Sequence, residues 1–247
     1  MRTWVSSVLI LAMSTGGCSG SSTSTPATTP STTSVTSDVT ITAIATAAPA
    51  TTTTAPQPTP FGKEDLPALV LTPEEGEGLA DGLEFRPSYS GAVGLATVRH
   101  MTLVPPDRMT ALGFIAARAS TFFTDPFLSE WGRAGRSLVS LVLIFPTPEA
   151  AESAQRVFVD SFDEFWAEWQ PLSPIQEGFP GASGLCGTDN TDDLYPTVGF
   201  SFRVGNTVTV LGSQGGAEQD EPLPEDLMRT LAEDMLARGE SRLADGS

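Results

Sequence analysis

The clearest hydrophobic pattern lies in the middle of the chain. Ser137 to Phe145 is nearly continuous in Leu, Val and Ile, which predicts a strand that is buried on both faces. The segment that follows, from about Pro148 to Trp169, places its large apolar residues at helical spacing and predicts a helix capped by Thr147. A strand that is apolar on both sides belongs in the middle of a covered sheet, so this helix is expected to lie on that sheet.

A strand hairpin and a helix are predicted near the C-terminus. Tyr195 to Val204 alternates apolar and polar residues, as a strand with one core face does. Gly205 and Asn206 then turn the chain into a second strand. A two-residue loop would pair apolar with polar residues, whereas a three-residue loop pairs Val204 with Val208, so burial favours the longer loop.

The final helix is predicted from about Pro224 to Arg238, with Gly239 as its stop. The residues that remain, 240–247, are predicted to be a disordered tail.

The earlier part of the folded region has weaker patterns. Thr72 and Glu75 form a capping box, but Gly76 follows at once, so a single helical turn is expected. Apolar residues at helical spacing predict a helix from Asp107 to Phe123. Other segments are predicted to be extended or looped: the extended segments Leu83–Arg86 and Val93–Val104, and a loop over Pro171–Pro180.

These elements predict an α+β fold, in which a mainly antiparallel sheet is covered by two to three helices. The folded part, 62–239, is long enough for one substantial core and contains neither a second linker nor an internal repeat. A single domain is therefore expected. Residues 18–61 are rich in Ser, Thr, Ala and Pro and are predicted to be a disordered tether, because they cannot bury enough apolar surface to order themselves.

Residues 1–17 have the pattern of a secretory signal peptide: Arg2, an apolar run from Trp4 to Met13, and small residues up to Cys18. A cysteine at this place resembles the lipobox of bacterial lipoproteins, although Thr15 stands where that family usually has Leu. The resemblance implies that Cys18 is lipidated and anchors the protein to the extracytoplasmic side of the cell membrane. The alternative is a secreted protein cut between Ser14 and Gly20, with Cys18 as a free thiol.

Charge excludes one class of partner. The 247 residues carry a formal net charge of −17, which repels phosphate backbones, so nucleic acid is not an expected partner.

Sequence motifs for chemistry are mostly missing, so no catalytic residue, metal site or cofactor is predicted. The one histidine, His100, lacks a signature serine for a catalytic triad. The acidic run at Asp189, Asp192 and Asp193 departs from a calcium loop at Leu194. A pair of carboxylates for glycan hydrolysis stays open, because its separation is a three-dimensional quantity. Cys186, between apolar and small residues, is expected to be buried.

The predicted long helix supplies a candidate binding surface. Val159 and Trp166 fall beside the main apolar stripe of the helical wheel. One interpretation is that Val159, Phe162 and Trp166 edge a groove with Asp163 on its rim, suited to an apolar ligand or an envelope protein partner. The other is that Trp166 is a boundary residue covered by the loop Pro171–Pro180.

The layout of tether, strand–helix unit Ser137–Trp169 and C-terminal hairpin and helix resembles actinobacterial cell-envelope lipoproteins of uncharacterised function. Their domains resemble the extracellular sensor domains of receptor kinases and the Mog1/PsbP-like α/β/α sandwich. The resemblance implies a lipid-anchored, non-enzymatic protein that binds or senses a ligand or partner. The alternative is an envelope glycan hydrolase that uses a carboxylate pair.

Overall fold

The computed structural model describes residues 60–124, 135–188, 191–216 and 221–246. All of them belong to one unit of the chain, Thr53–Ser247. Within the helices and strands, nothing is described of the side chains of 162–165, 167, 186–188 and 191–194. The predicted signal peptide, the lipidation site Cys18 and almost all of the predicted tether lie outside the described residues and stay predictions.

The described residues form an antiparallel sheet of eight strands. Its strands run in the order β1-β3-β4-β8-β7-β6-β5, and β2 pairs with β3 beside β1. The strands are β1 Glu84–Phe85, β2 Gly91–Val93, β3 Ala116–Phe123, β4 Ser137–Ile144, β5 Trp166–Gln176, β6 Phe179–Thr188, β7 Thr191–Val204 and β8 Thr207–Gln214.

Helices cover both faces of this sheet. They are α1 Leu66–Leu69, α2 Pro73–Glu77, α3 Leu95–Thr102, α4 Pro106–Ala111, α5 Pro148–Phe165 and α6 Glu225–Asp245, with a 3-10 turn at Pro87–Tyr89. One hydrophobic core lies between the sheet and α1 and α6, and a second lies between the sheet and α3, α4 and α5. We call these the α6 face and the α5 face. The predicted α+β class, with an antiparallel sheet under helices, is confirmed.

Strand β4 is the centre of both cores, as predicted from its continuous apolar sequence. Leu138 and Val142 are fully buried on the α6 face, while Leu141 and Leu143 are fully buried on the α5 face. Because successive side chains of a strand point to opposite faces, a strand between two cores needs apolar residues at nearly every position.

The predicted helix Asp107–Phe123 is wrong, because α4 ends at Ala111 and β3 follows. Gly113 has φ +78, a conformation that interrupts a helix. Strand β3 then pairs with β4 over eight residues. Its residues are buried on both faces, Ala119 towards α5 and Phe122 towards α6, so an apolar run that resembles a helical stripe is a two-sided strand.

Two other predictions are also wrong. The segment predicted to be extended from Val93 contains α3, which buries Val98 and ends at Leu103 with φ 61. The predicted loop Pro171–Pro180 is a hairpin of β5 and β6 that turns at Gly178. Strand β5 tolerates its prolines because it lies at the edge of the sheet, where backbone N–H groups need no partner.

The β7–β8 hairpin has a two-residue loop, not the predicted three, since Val204 pairs with Thr207 and Arg203 with Val208. Burial does not oppose this register, because both faces of the sheet are covered. The loop is stabilised by buried Asn206, whose side chain accepts from the Phe61 N–H at 2.7 Å and donates to the carbonyl oxygens of Phe61 at 3.1 Å and Phe145 at 2.9 Å.

Helix α6 continues to Asp245, so the predicted end at Arg238 is wrong and residues 240–245 are helical. Gly239 is not a stop. It lies within the helix and against the sheet, where an added Cβ would come within 3.0 Å of Val204 Cγ2. A glycine at this place lets the helix approach β7 closely.

Candidate functional site

The four residues predicted to bind a ligand lie at the junction of α5 and β5. The helix ends at Phe165, so Trp166 begins the strand and does not extend the helical wheel to Trp169 as predicted. Val159 is half-buried on α5, and Trp166 is half-buried on β5. Phe162 and Asp163 belong to the last turns of α5, but their side chains lie outside the description. The groove itself therefore stays a prediction.

The other residues singled out by the sequence are dispersed. His100 is exposed on α3, not on a strand. Cys186 lies in β6, and Asp192 and Asp193 lie in β7, with side chains outside the description; Asp189 lies outside the described residues. Within the described ranges, no group of three or more His, Cys, Asp or Glu side chains is placed to hold a metal ion. No helix there has both the length and the low polarity needed to cross a bilayer.

The strand register brings a row of small residues together on the α5 face. Val139 pairs with Gly212, Gly212 with Gly199, and Gly199 with Ala182. Directly opposed residues of an antiparallel sheet share a face. The same strands carry Leu141 and Val208 in the α5 core, which fixes the face of this row by alternation. We call Val139, Gly212, Gly199 and Ala182 the glycine floor.

Few atoms of the described residues lie directly above the two floor glycines. Among those residues, a Cβ added at Gly212 would meet no heavy atom within 4 Å, and one added at Gly199 would meet only the backbone oxygen of Leu211, at 3.5 Å. Both glycines lack a side chain on neighbouring strands, so the backbone there is flat; Gly212 is half-buried, Gly199 is buried and Ala182 has no exposed surface. Such a surface accepts the face of a ring or an apolar chain more closely than any side chain would allow.

Aromatic residues stand on either side of this floor. On β5, Trp169 pairs with Gly184. Trp166 pairs with Cys186, two residues further along β6, so both tryptophans are on the α5 side. An added Cβ at Gly184 would lie 2.6 Å from the Trp169 Cα, which means that the β5 backbone bends over this face. Across the sheet, the Tyr89 ring packs edge-on against Phe123, with centroids 5.9 Å apart. The floor thus lies between two raised edges.

Helix α5 meets the floor through polar groups. Gln155 is buried, and its Nε2 donates to the carbonyl oxygen of Ser201 at 2.9 Å and to that of Gly178 at 3.3 Å. Ser201 is the next residue after Gly199 on the α5 side of β7, and its buried hydroxyl has no hydrogen-bond partner among the described residues. These groups fix the helix to β7 and leave one unmet hydroxyl beside the floor.

The described carboxyl groups with shifted pKa values serve helix ends. Burial raises the pKa of Glu75, but hydrogen bonds from the Thr72 backbone and from Arg238, with the charge of Arg238, together lower it below its ordinary value. The hydroxyl of Thr147, the cap before α5, lowers the pKa of Glu149. A glycoside hydrolase needs an acid with a raised pKa, so neither residue supports the hydrolase alternative.

Sequence reasoning missed both floor glycines. The alternation of Tyr195–Val204 predicts one core face of β7, and no role is predicted for the other face. Gly199 and Gly212, each within a strand, were the available signal, because glycine inside a strand often marks a close approach by another group. Their meeting across β7 and β8 also depends on the two-residue turn, which the sequence analysis did not favour.

No protein-family model matches the chain, and no curated protein matches it. The chain is similar in structure to the extracellular domain of PknH from Mycobacterium tuberculosis, with a TM-score of 0.49 and 10% sequence identity, over 76% of this chain and 98% of that chain. The likeness is too distant to carry the role of any residue from one protein to the other.

Proposed function

We propose that this protein is a lipid-anchored, extracytoplasmic and non-enzymatic binding protein, whose domain takes an apolar ligand on the glycine floor. The observation that carries the binding proposal is the pair Gly199 and Gly212, over which no described side chain packs within 4 Å of an added Cβ, between the aromatic edges of the α5 face. Binding sites for small molecules are concave and mostly apolar, with few polar groups, and this arrangement fits that description. An envelope protein partner, the other predicted occupant, has no comparable observation in its favour.

The predicted binding residues lie along one side of the proposed site. Trp166 is on the α5 side of β5, and Val159 is on α5 itself. We propose that both contribute to the raised edge near β5, with Phe162 and Asp163 on the same part of α5. In this arrangement Trp166 lines the site from a strand rather than from the helix.

The ligand proposal is tested by filling the floor. Gly212→Leu places a side chain in open space, so the domain should fold while binding of the neutral apolar fluorophore N-phenyl-1-naphthylamine falls at least tenfold. Gly94→Leu is the matched control, because a Cβ at Gly94 also meets nothing within 4 Å but lies at the start of α3. Equal binding by the wild type and Gly212→Leu would refute the floor as the site.

The Trp166→Ala variant tests whether Trp166 lines the ligand site or only covers the core. If Trp166 lines the site, the variant keeps most of its stability and loses affinity for the same fluorophore. If it only covers the core, the variant loses a few kcal/mol through a cavity. Large destabilisation with unchanged affinity per folded molecule would exclude Trp166 from the site.

The anchoring proposal rests on Cys18 and is tested separately. Cys18→Ser should move the protein from the detergent phase to the aqueous phase, with its thermal unfolding unchanged. Identical partitioning of the variant and the wild type would rule out lipidation at Cys18, without bearing on the ligand site.

A further inference from the structure

We draw no further inference here: the strongest candidate, the half-buried pair Trp166 and Trp169 on the α5 side of the edge strand β5, belongs to the site already described, and nothing in the described part of the chain shows what covers it.

Discussion

The two faces of the sheet differ in how closely side chains pack over the same strands. On the α6 face, Leu211 is fully buried, and a Cβ at Gly181 would overlap the Phe200 ring. On the α5 face, one residue along β8, an added Cβ at half-buried Gly212 would meet no atom of the described residues within 4 Å. The α6 face is filled to the packing density of a core, whereas part of the α5 face is left without side chains. Under the proposed function, the binding surface lies on the side of this strand pair that is less closely packed.

The difference between the two faces is tested most strongly by substituting two neighbouring residues of β8. Leu211→Ala deletes a side chain with no exposed surface and should cost about 2–5 kcal/mol of unfolding free energy. Val210→Ala, on the half-buried α5 side, should cost about 1 kcal/mol. Urea denaturation of both variants measures the difference. Equal losses would mean that the two faces contribute alike.

A second test adds a methyl group to the closely packed α6 face. Gly76 lies in α2 directly against the Phe122 ring, which a Cβ would overlap. Gly76→Ala should therefore destabilise the domain by about 1–3 kcal/mol. Gly78→Ala is the control, because its Cβ meets only the Glu74 and Glu75 carbonyl oxygens, at 3.4 and 4.0 Å. A neutral result at Gly76 would show that this face has room to relax.

The third test concerns the ion pair that joins α2 to α6 at the edge of the α6 face. Glu75 pairs with Arg238, which also donates to the Val70 carbonyl oxygen at 3.3 Å. The pKa of Glu75 is lowered in the folded protein, so its contribution is present above pH 4.5 and is lost as the pH falls through the lower, folded value. Because the carboxylate is a third exposed, that contribution should be about 1 kcal/mol or less.

Chemical denaturation of the wild type and Glu75→Gln from pH 7 to pH 3 measures this contribution. The two curves should differ at pH 7 and converge as the pH falls through the lowered pKa of Glu75. A constant difference across the range would assign the loss to the capping box geometry rather than to the charge.

The smallest effect is expected from the predicted tether. Deleting Ser19–Pro60 should move the thermal midpoint by about a degree or two at most, because a segment that buries nothing contributes little stability. Phe61, which is buried and bonded to Asn206, is kept in this variant. A loss of several degrees would mean that the segment covers part of one face.

The sequence correctly predicted the elements whose apolar pattern fits only one kind of secondary structure. Strand β4 and most of α5 were found because a nearly continuous apolar run and a capped helical stripe each fit one structure. Strand β3 was taken for a helix because both of its faces are buried, so its apolar spacing lost the alternation that identifies a strand. The end of α5 was missed because Trp166 and Trp169 continue the helical spacing into β5.

The site was less accessible to sequence reasoning than the fold. Val159 and Trp166 were chosen from a helical wheel that ends too early to include Trp166. Gly199 and Gly212 lie on separate strands, and only the strand register places them opposite each other. Register depends on loop lengths that were themselves misjudged, which is why the row could not be anticipated.

Asn206 has a mechanical consequence. Any tension on the chain ahead of residue 60 arrives at Phe61, whose backbone is clasped in both directions by the Asn206 side chain. The same side chain holds the Phe145 carbonyl oxygen, and the Phe145 N–H donates to the Asn206 carbonyl oxygen at 2.9 Å. The load therefore passes directly into β4 and β8, which pair over eight residues at the centre of the sheet. While these hydrogen bonds hold, α1 and α2 bear no tension, so a force on the N-terminal segment does not detach them from the sheet.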